Sequence, residues 1–147
     1  MSNLKEIDGL TQLHEIAQSL GRPLRGLIID DEANVAETFR TVCEISEDLN
    51  VDIAASSAEA LRALNLREYD FATVDIVMPE VSGLETIRII RDRFPKVSIL
   101  VITGNATEKL KREACSEGIL RLLEKPLEIA EFLGALGESL KTEFRKE

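Results

Sequence analysis

The chain has 147 residues, of which 44% are hydrophobic and 31% are charged, a balance typical of one globular domain. Its formal net charge of -9 argues against nucleic acid and anionic membranes as partners, because both bind positively charged surfaces. The apolar runs are far shorter than the roughly 20 residues of a membrane span, and the first residues do not resemble a signal peptide, so we expect a cytoplasmic protein. Two cysteines with apolar neighbours, Cys43 and Cys115, are expected to be reduced residues of the core.

An amphipathic pattern in residues 1–22 predicts a helix that precedes the main domain, which we place at residues 23–147. Apolar residues recur every three or four positions up to the helix-breaking Gly21-Arg22-Pro23: Leu4, Ile7, Leu10, Leu13, Ala17 and Leu20. This stripe has to be buried, either against its own domain or against a second subunit in a homodimer. It is too short to predict a coiled coil, and the pattern does not choose between the two alternatives.

From residue 23 onwards, short apolar runs alternate with amphipathic helical stretches. The runs predict five strands, at residues 24–29, 51–55, 71–75, 97–102 and 120–123. A helical stretch follows each of them. The alternation predicts an α/β fold with a parallel sheet and helices on both of its faces.

Local signals support two of these helices. Ser56 followed by Glu59 matches a capping box at the start of the second of the five. Thr107 is a suitable N-cap for the fourth, in which Leu110, Ala114 and Cys115 are predicted to face the core.

Charged and polar residues follow the predicted strands. Asp30 and Asp31 follow the first strand, Asp75 ends the third, and Thr103 and Lys125 follow the fourth and fifth. Because the carboxyl ends of parallel strands meet at one edge of the sheet, we expect these side chains to converge. Two carboxylates about 4 Å apart repel by roughly 4 kcal/mol at an effective dielectric constant of about 20, so the cluster needs a cation. Mg²⁺, a hard cation with oxygen ligands, is the natural choice.

Four separated motifs carry a resemblance to the receiver domain of bacterial two-component response regulators. They are Asp30-Asp31, the string DIVMP that begins at Asp75 together with Gly83, Thr103, and Lys125-Pro126. The resemblance covers about residues 24–144. It implies a flavodoxin-like, doubly wound parallel sheet of order 2-1-3-4-5 with five helices, to which the N-terminal helix is an addition.

The same resemblance implies a function in signalling. Asp75 is expected to accept a phosphoryl group from a sensor histidine kinase or a histidine phosphotransfer protein, and Thr103 and Lys125 are expected to contact that group. The signal then passes to an unknown downstream protein by altered binding or by onward phosphotransfer. No enzymatic activity is expected beyond promotion of the domain's own phosphorylation and dephosphorylation.

The resemblance also implies a set of Mg²⁺ ligands. Asp31 and Asp75 are expected to bind the ion directly, Asp30 through a water molecule, and the residue at position 77, Val77, through its backbone carbonyl. One departure concerns the place three residues before the lysine. It is often aromatic in the family, whereas here it is Leu122, so the usual aromatic switch is missing.

Two other protein classes and one other phosphorylation site match parts of the sequence. A haloacid-dehalogenase-like phosphatase also uses a strand-end aspartate with Mg²⁺, but it needs the pattern Asp-x-Asp, and Val77 stands where its general acid belongs. A receiver-like scaffold that acts without phosphorylation would be expected to have lost part of the acidic set or the lysine. The string HEI at His14 invites comparison with the phosphorylated histidine of sensor kinases, but its surroundings favour an ordinary residue on a helix surface. No output domain is recognisable, so the chain is either a stand-alone receiver or part of a longer protein.

Overall fold

The computed structural model describes residues 4–76, 83–104, 107–116, 119, 122–126 and 128–145, with the backbone alone for residues 4–8 and 141–145. The described residues contain six helices and five strands. In chain order these elements are α1 (Leu4–Leu20), β1 (Leu24–Ile29), α2 (Ala33–Glu44), β2 (Leu49–Ala54), α3 (Ser57–Leu66), β3 (Phe71–Asp75), α4 (Gly83–Arg93), β4 (Ser98–Thr103), α5 (Glu108–Ser116), β5 (Leu122–Glu124) and α6 (Ile129–Arg145).

The five strands form one parallel sheet with the order β2-β1-β3-β4-β5. The predicted flavodoxin-like fold and the additional N-terminal helix are both confirmed. Strand bounds shift slightly from their predicted positions: β2 begins two residues earlier, and β4 extends to Thr103. Residues 120 and 121, predicted to begin the fifth strand, lie outside the described residues.

Apolar side chains cover both faces of the sheet. On one face a cluster joins Ile28 and Leu100 to Phe132 and Leu136 of α6, and on the other a cluster joins Leu27 to helices α3, α4 and α5. Neighbouring strand residues point to opposite faces, so a strand buried on both faces is apolar throughout. The polar residues that end these strands are therefore left at the edge of the sheet.

The predicted helix caps are confirmed, whereas one predicted core residue is wrong. The Ser56 hydroxyl oxygen accepts a hydrogen bond from Glu59 N–H at 3.1 Å, and the Thr107 hydroxyl accepts one from Leu110 N–H at 3.1 Å. Cys43 is buried, as expected, but Cys115 is exposed. The buried side of α5 follows Leu110 and Ala114, four residues apart, and the next residue is turned about 100° away from it.

Helix α1 packs against α6 of its own chain. Gly9 lies so close to the backbone of α6 that a Cβ atom there would be 2.7 Å from Leu133 C. Leu13 is fully buried in the same core cluster as Phe132 and Leu136. The contacts run from Gly9 with Leu133 to Gln12 with Gly137, so the two helices are parallel.

The described part of the apolar stripe is thus buried or half-buried within the chain. Of the two alternatives, burial against its own domain is the one that the structure shows, and homodimerisation through this helix stays a prediction.

The connection from α1 to β1 is held in place by hydrogen bonds. Gly21 has a φ of 72°, which favours glycine, and its N–H donates to Ala17 O at 2.9 Å to end the helix. Both terminal nitrogens of Arg22 donate to the Asp70 carboxylate, at 2.8 and 2.9 Å. Asp70 also accepts a hydrogen bond from Arg25 N–H at 2.8 Å. This network fixes the point at which α1 joins the sheet.

Candidate functional site

Two buried aspartates lie side by side at the carboxyl edge of the sheet. Asp30 directly follows β1 and is 3% exposed, and Asp75 is the last residue of β3 and is 5% exposed. Strands β1 and β3 are paired with Ile29 opposite Val74, which places the next residue of each strand at the same level. The predicted convergence at the strand ends is therefore present for these two residues.

Lys125 links the two aspartates. Its Nζ donates to Asp30 Oδ2 at 2.7 Å and to Asp75 Oδ2 at 3.0 Å. Burial lowers the pKa of Lys125, but the hydrogen bonds and negative charges of Asp30 and Asp75 outweigh it, so the pKa lies above its ordinary value. The ammonium group therefore stays charged and offsets part of the repulsion between the two carboxylates.

Local backbone contacts place this lysine. Its N–H donates to Thr103 O at 2.8 Å, which extends the pairing of β4 with β5 by one residue, and its peptide bond with Pro126 is cis. Thr103, fully buried, is the last residue of β4, one position beyond the residue that pairs with Asp75. Gly104 follows, and a Cβ atom there would meet only the Lys125 side chain, at 3.8 Å or more.

Glu32 is a third carboxylate at this site, and the sequence analysis missed it. One carboxylate oxygen from each of Asp30, Glu32 and Asp75 lies within 4.8 Å of the other two. Glu32 Oε1 is 3.6 Å from Lys125 Nζ, although the Glu32 side chain is 62% exposed. The Glu32 N–H also donates to Asp30 Oδ1 at 2.9 Å, which holds the short segment after β1 in place.

Asp31, by contrast, is exposed and lies outside this group of three carboxylates. The chain is still extended at Glu32, with φ of -88° and ψ of 98°. In an extended chain, residues two apart point to the same side, so Glu32 follows Asp30 towards the pocket and Asp31 does not. The feature of the sequence that could have identified Glu32 is the string DDE, which places a third acidic residue directly after the two aspartates that follow β1.

Gly83 supports the strand that carries Asp75. A Cβ atom at this position would lie 2.4 Å from Asp75 O and 2.4 Å from Ile76 Cα. The Gly83 N–H also donates to Ile76 O at 2.9 Å. Any larger residue here would displace the end of β3, which explains why α4 begins with glycine. Val77, expected to supply a backbone carbonyl, lies outside the described residues.

The three carboxylates form a donor set that suits a hard divalent cation. All the ligand atoms are oxygen, as Mg²⁺ prefers. Two charges separated by about 4.8 Å repel by roughly 3.5 kcal/mol at an effective dielectric constant of about 20, and one ammonium group cannot neutralise three carboxylates. The pocket therefore carries residual negative charge that a divalent ion would offset.

A family model, the response regulator receiver domain, matches residues 27–137. The chain belongs to this family. The match begins after α1 and includes the residues of the acidic pocket and Lys125. A two-component signalling domain of this kind implies a histidine kinase partner.

The receiver is similar to curated proteins and to solved structures. Protein-glutamate methylesterase/protein-glutamine glutaminase 2 of Anaeromyxobacter dehalogenans is 34% identical over 131 residues, covering 84% of this chain and 36% of that protein. A response regulator receiver domain protein (CheY-like) from Methanospirillum hungatei has a TM-score of 0.79 at 23% identity, covering 85% of this chain and 99% of that one. One from Clostridium thermocellum has a TM-score of 0.75 at 26% identity, covering 84% and 99%.

The receiver spans between 21% and 48% of the length of several curated relatives.

Within the receiver, Leu122 is half-buried and packs against the core cluster on the α3, α4 and α5 face of the sheet. His14, the only histidine, lies 57% exposed on α1, where its Nδ1 is 3.0 Å from Asp48 Oδ2. None of the helices among the described residues is long and apolar enough to cross a membrane.

Proposed function

We propose that this receiver carries a signal as an aspartyl phosphate on Asp75. The observation that carries the proposal is the position of Asp75, buried at the end of β3, hydrogen-bonded to Lys125 and grouped with two further carboxylates. A carboxylate oxygen of Asp75 attacks the phosphorus of a phosphohistidine and forms a P–O bond. The P–N bond breaks, and the imidazole leaves with its electron pair and takes up a proton from water.

Lys125 and Thr103 support this transfer. A phosphoryl group on Asp75 carries roughly -1.5 to -2 charges in place of the single carboxylate charge, and it lies beside Lys125, whose ammonium is already directed at Asp75. Lys125 then donates to a phosphoryl oxygen, and the Thr103 hydroxyl supplies a second hydrogen bond. Both residues thus stabilise the product.

The acidic pocket would hold Mg²⁺ through Asp30, Glu32 and Asp75, with the Val77 carbonyl as an expected further ligand. When bound, the ion neutralises charge on the carboxylates and on the phosphoryl oxygens. Family resemblance assigns one direct ligand to Asp31, whereas Glu32 is the residue grouped with the two aspartates.

A titration of Mg²⁺ by calorimetry separates these assignments. If Glu32 is a ligand, Glu32→Gln weakens binding more than Asp31→Asn does. If Asp31→Asn instead weakens Mg²⁺ binding more than Glu32→Gln does, Asp31 is the ligand.

The phosphorylation signal is expected to reach other proteins through a structural change around Thr103, Lys125 and α5. We propose that phosphorylation shifts residues 104–118 through the Thr103 backbone and the Lys125 contact, while Leu122 repacks only as an apolar neighbour. Hydrogen exchange measured with and without phosphorylation tests this. Thr103→Ala is expected to remove the response and Leu122→Ala to retain it; the opposite result excludes this route.

Intact-mass measurement tests the phosphoacceptor itself. Wild type incubated with Mg²⁺ and acetyl phosphate, or with a phosphorylated histidine kinase, is expected to gain one phosphoryl group that hydroxylamine removes. Asp75→Asn is expected to gain none. Asp52→Asn, an aspartate of β2 that is hydrogen-bonded to Tyr69, is the matched control and should behave as wild type. A phosphorylated Asp75→Asn variant, or an unmodified wild type with both donors, refutes the proposal.

A further inference from the structure

A groove beside the buried stripe of α1, to which the stripe residue Leu10 contributes, is lined by three helices. It has a volume of about 430 Å³ and lies between α1, the C-terminal end of α2 and the first turns of α6. Its apolar walls are Leu10, Val42, Ile45, Ile129 and Leu133. This volume lies within the roughly 300–1,000 Å³ typical of binding sites in proteins. We refer to it as the α1–α2 groove.

Two exposed aliphatic side chains meet at this groove. Among the described residues three large hydrophobic side chains are exposed: Ile45 (77%), Leu66 (76%) and Ile129 (41%). Ile45 and Ile129 come from sequence-distant segments and line the same groove, whereas Leu66 does not. Single exposed apolar residues are ordinary on protein surfaces, but two that converge on one concave surface indicate a contact.

The rim of the groove is acidic. Asp48 is one of the lining residues, and its carboxylate is paired with His14 at 3.0 Å. Exposed glutamates stand next in the chain to lining residues, at Glu15, Glu47 and Glu128. Lysine and arginine occur neither among the described lining residues nor among their immediate chain neighbours. The charge of the rim therefore favours a basic partner.

We propose that the α1–α2 groove binds one amphipathic helix of a partner protein, with apolar side chains on one face and lysine or arginine beside them. The lining residues come from helices and the loop after α2, so the groove offers no strand edge to which an extended peptide could add. Recognition must then rest on side chains inserted between Ile45 and Ile129, as in the insertion of a helix into an apolar groove.

The groove is distinct from the acidic pocket of the receiver. One of its walls is α1, which precedes the residues 27–137 that the family model matches. None of the residues assigned to phosphoryl transfer lines it. Partner binding here does not depend on the proposed phosphorylation of Asp75 and can be tested in the unphosphorylated chain.

The test uses a synthetic helical peptide of about 18 residues, with leucine at positions i, i+3, i+4 and i+7 and lysine elsewhere, titrated at physiological salt. Nuclear magnetic resonance of the full chain is expected to show shift changes confined to α1, the end of α2 and the start of α6. A peptide with the same leucines and with glutamate in place of lysine is expected to bind at least about tenfold more weakly.

Variants locate the contact independently. Ile45→Ser combined with Ile129→Ser is expected to weaken the lysine peptide by about tenfold or more, because the buried apolar area of the complex is lost. Leu66→Ser, at a side chain as exposed as Ile45 but outside the groove, is the control and should leave affinity unchanged. Because all three side chains are exposed, the variants are expected to fold.

Several results would overturn the proposal. They are shift changes centred elsewhere, equal binding of the two peptides, and an equal loss in the Leu66→Ser control. Concentration-dependent dimerisation that Ile45→Ser abolishes would also overturn it, since the occupant would then be a second copy of this chain.

Discussion

The contact between α1 and α6 can be tested with one methyl group placed at either of two glycines. In Gly9→Ala the new Cβ would lie 2.7 Å from Leu133 C and 2.9 Å from Gly134 N, both backbone atoms of α6. Ordinary carbon contacts are about 3.5–4.0 Å, so the helices must separate by roughly 0.8 Å or more. In Gly134→Ala the Cβ meets nothing within 4 Å. The two changes thus add the same atom to facing helices with opposite steric results.

The magnitudes follow from these contacts. Replacing glycine by alanine within a helix stabilises it by about 0.5–1 kcal/mol, and this is the whole effect expected of Gly134→Ala. Gly9→Ala has the same gain, but forcing an extra methyl group into a packed interface costs about 1–3 kcal/mol. We expect a net loss of about 1–2 kcal/mol for Gly9→Ala. The two variants should then differ by about 2 kcal/mol, or roughly 4–8 °C in melting temperature for a chain of this size.

Urea unfolding monitored by circular dichroism measures both variants against wild type. Light scattering on the same samples reports whether the assembly state has changed. If Gly9→Ala is as stable as Gly134→Ala, the close packing of α1 on α6 is wrong. If Gly9→Ala changes the mass of the particle while leaving stability intact, the contact of α1 lies with another subunit.

Three further predictions concern charge. Burial raises the pKa of Cys43 to about 12, so its contribution to stability is full below about pH 9 and is lost as the pH rises towards 12. Between pH 9 and 10, below the range in which Tyr69, whose pKa burial also raises to about 12, adds its own effect, the free energy of unfolding should fall with a slope approaching about 1.4 kcal/mol per pH unit in wild type and Cys115→Ala; a Cys43→Ala variant that keeps this slope contradicts the assignment. Lys125→Met should lower the melting temperature in the absence of Mg²⁺. Adding Mg²⁺ should then raise the melting temperature of this variant more than that of wild type, because the ion no longer competes with the ammonium group; equal rises would show that the two cations do not compete. Arg22→Lys should lower the free energy of unfolding in urea by about 1 kcal/mol, since lysine cannot make both hydrogen bonds to the Asp70 carboxylate. An unchanged urea midpoint would mean that this contact does not hold the connection between α1 and β1.

The sheet and the central site were predictable for a local reason. Strands such as β3 are apolar on both faces, and their carboxyl ends are marked by the first charged residue, Asp75. The carboxyl end of each strand can be located from the sequence of that strand alone, and the parallel topology brings these ends together at one edge of the sheet. Asp30 follows from the same rule, and Lys125 lies one residue beyond Glu124, the charged residue that ends β5, so their proximity could be predicted from the sequence.

Other features depend on geometry that local patterns do not contain. Glu32 joins the site because the chain stays extended for two residues beyond Asp30, and only the backbone angles reveal this. The sequence pattern did not show whether α1 packs on its own domain, because this depends on the shape of the facing surface of α6, where Gly137 lies against Gln12. Cys115 was misplaced because a helical stripe of two apolar residues does not define the width of the buried face.

The pairing of α1 with α6 joins the beginning of the described chain to its end, with more than 100 residues between them. During translation α1 leaves the ribosome before its partner helix α6 is made. Until then Leu13 and the facing core surface have no cover, because a contact between such distant segments forms only when both exist. Products of premature termination that lack α6 would keep this apolar surface exposed, and we expect them to aggregate or to be degraded, whereas chains that contain α6 fold.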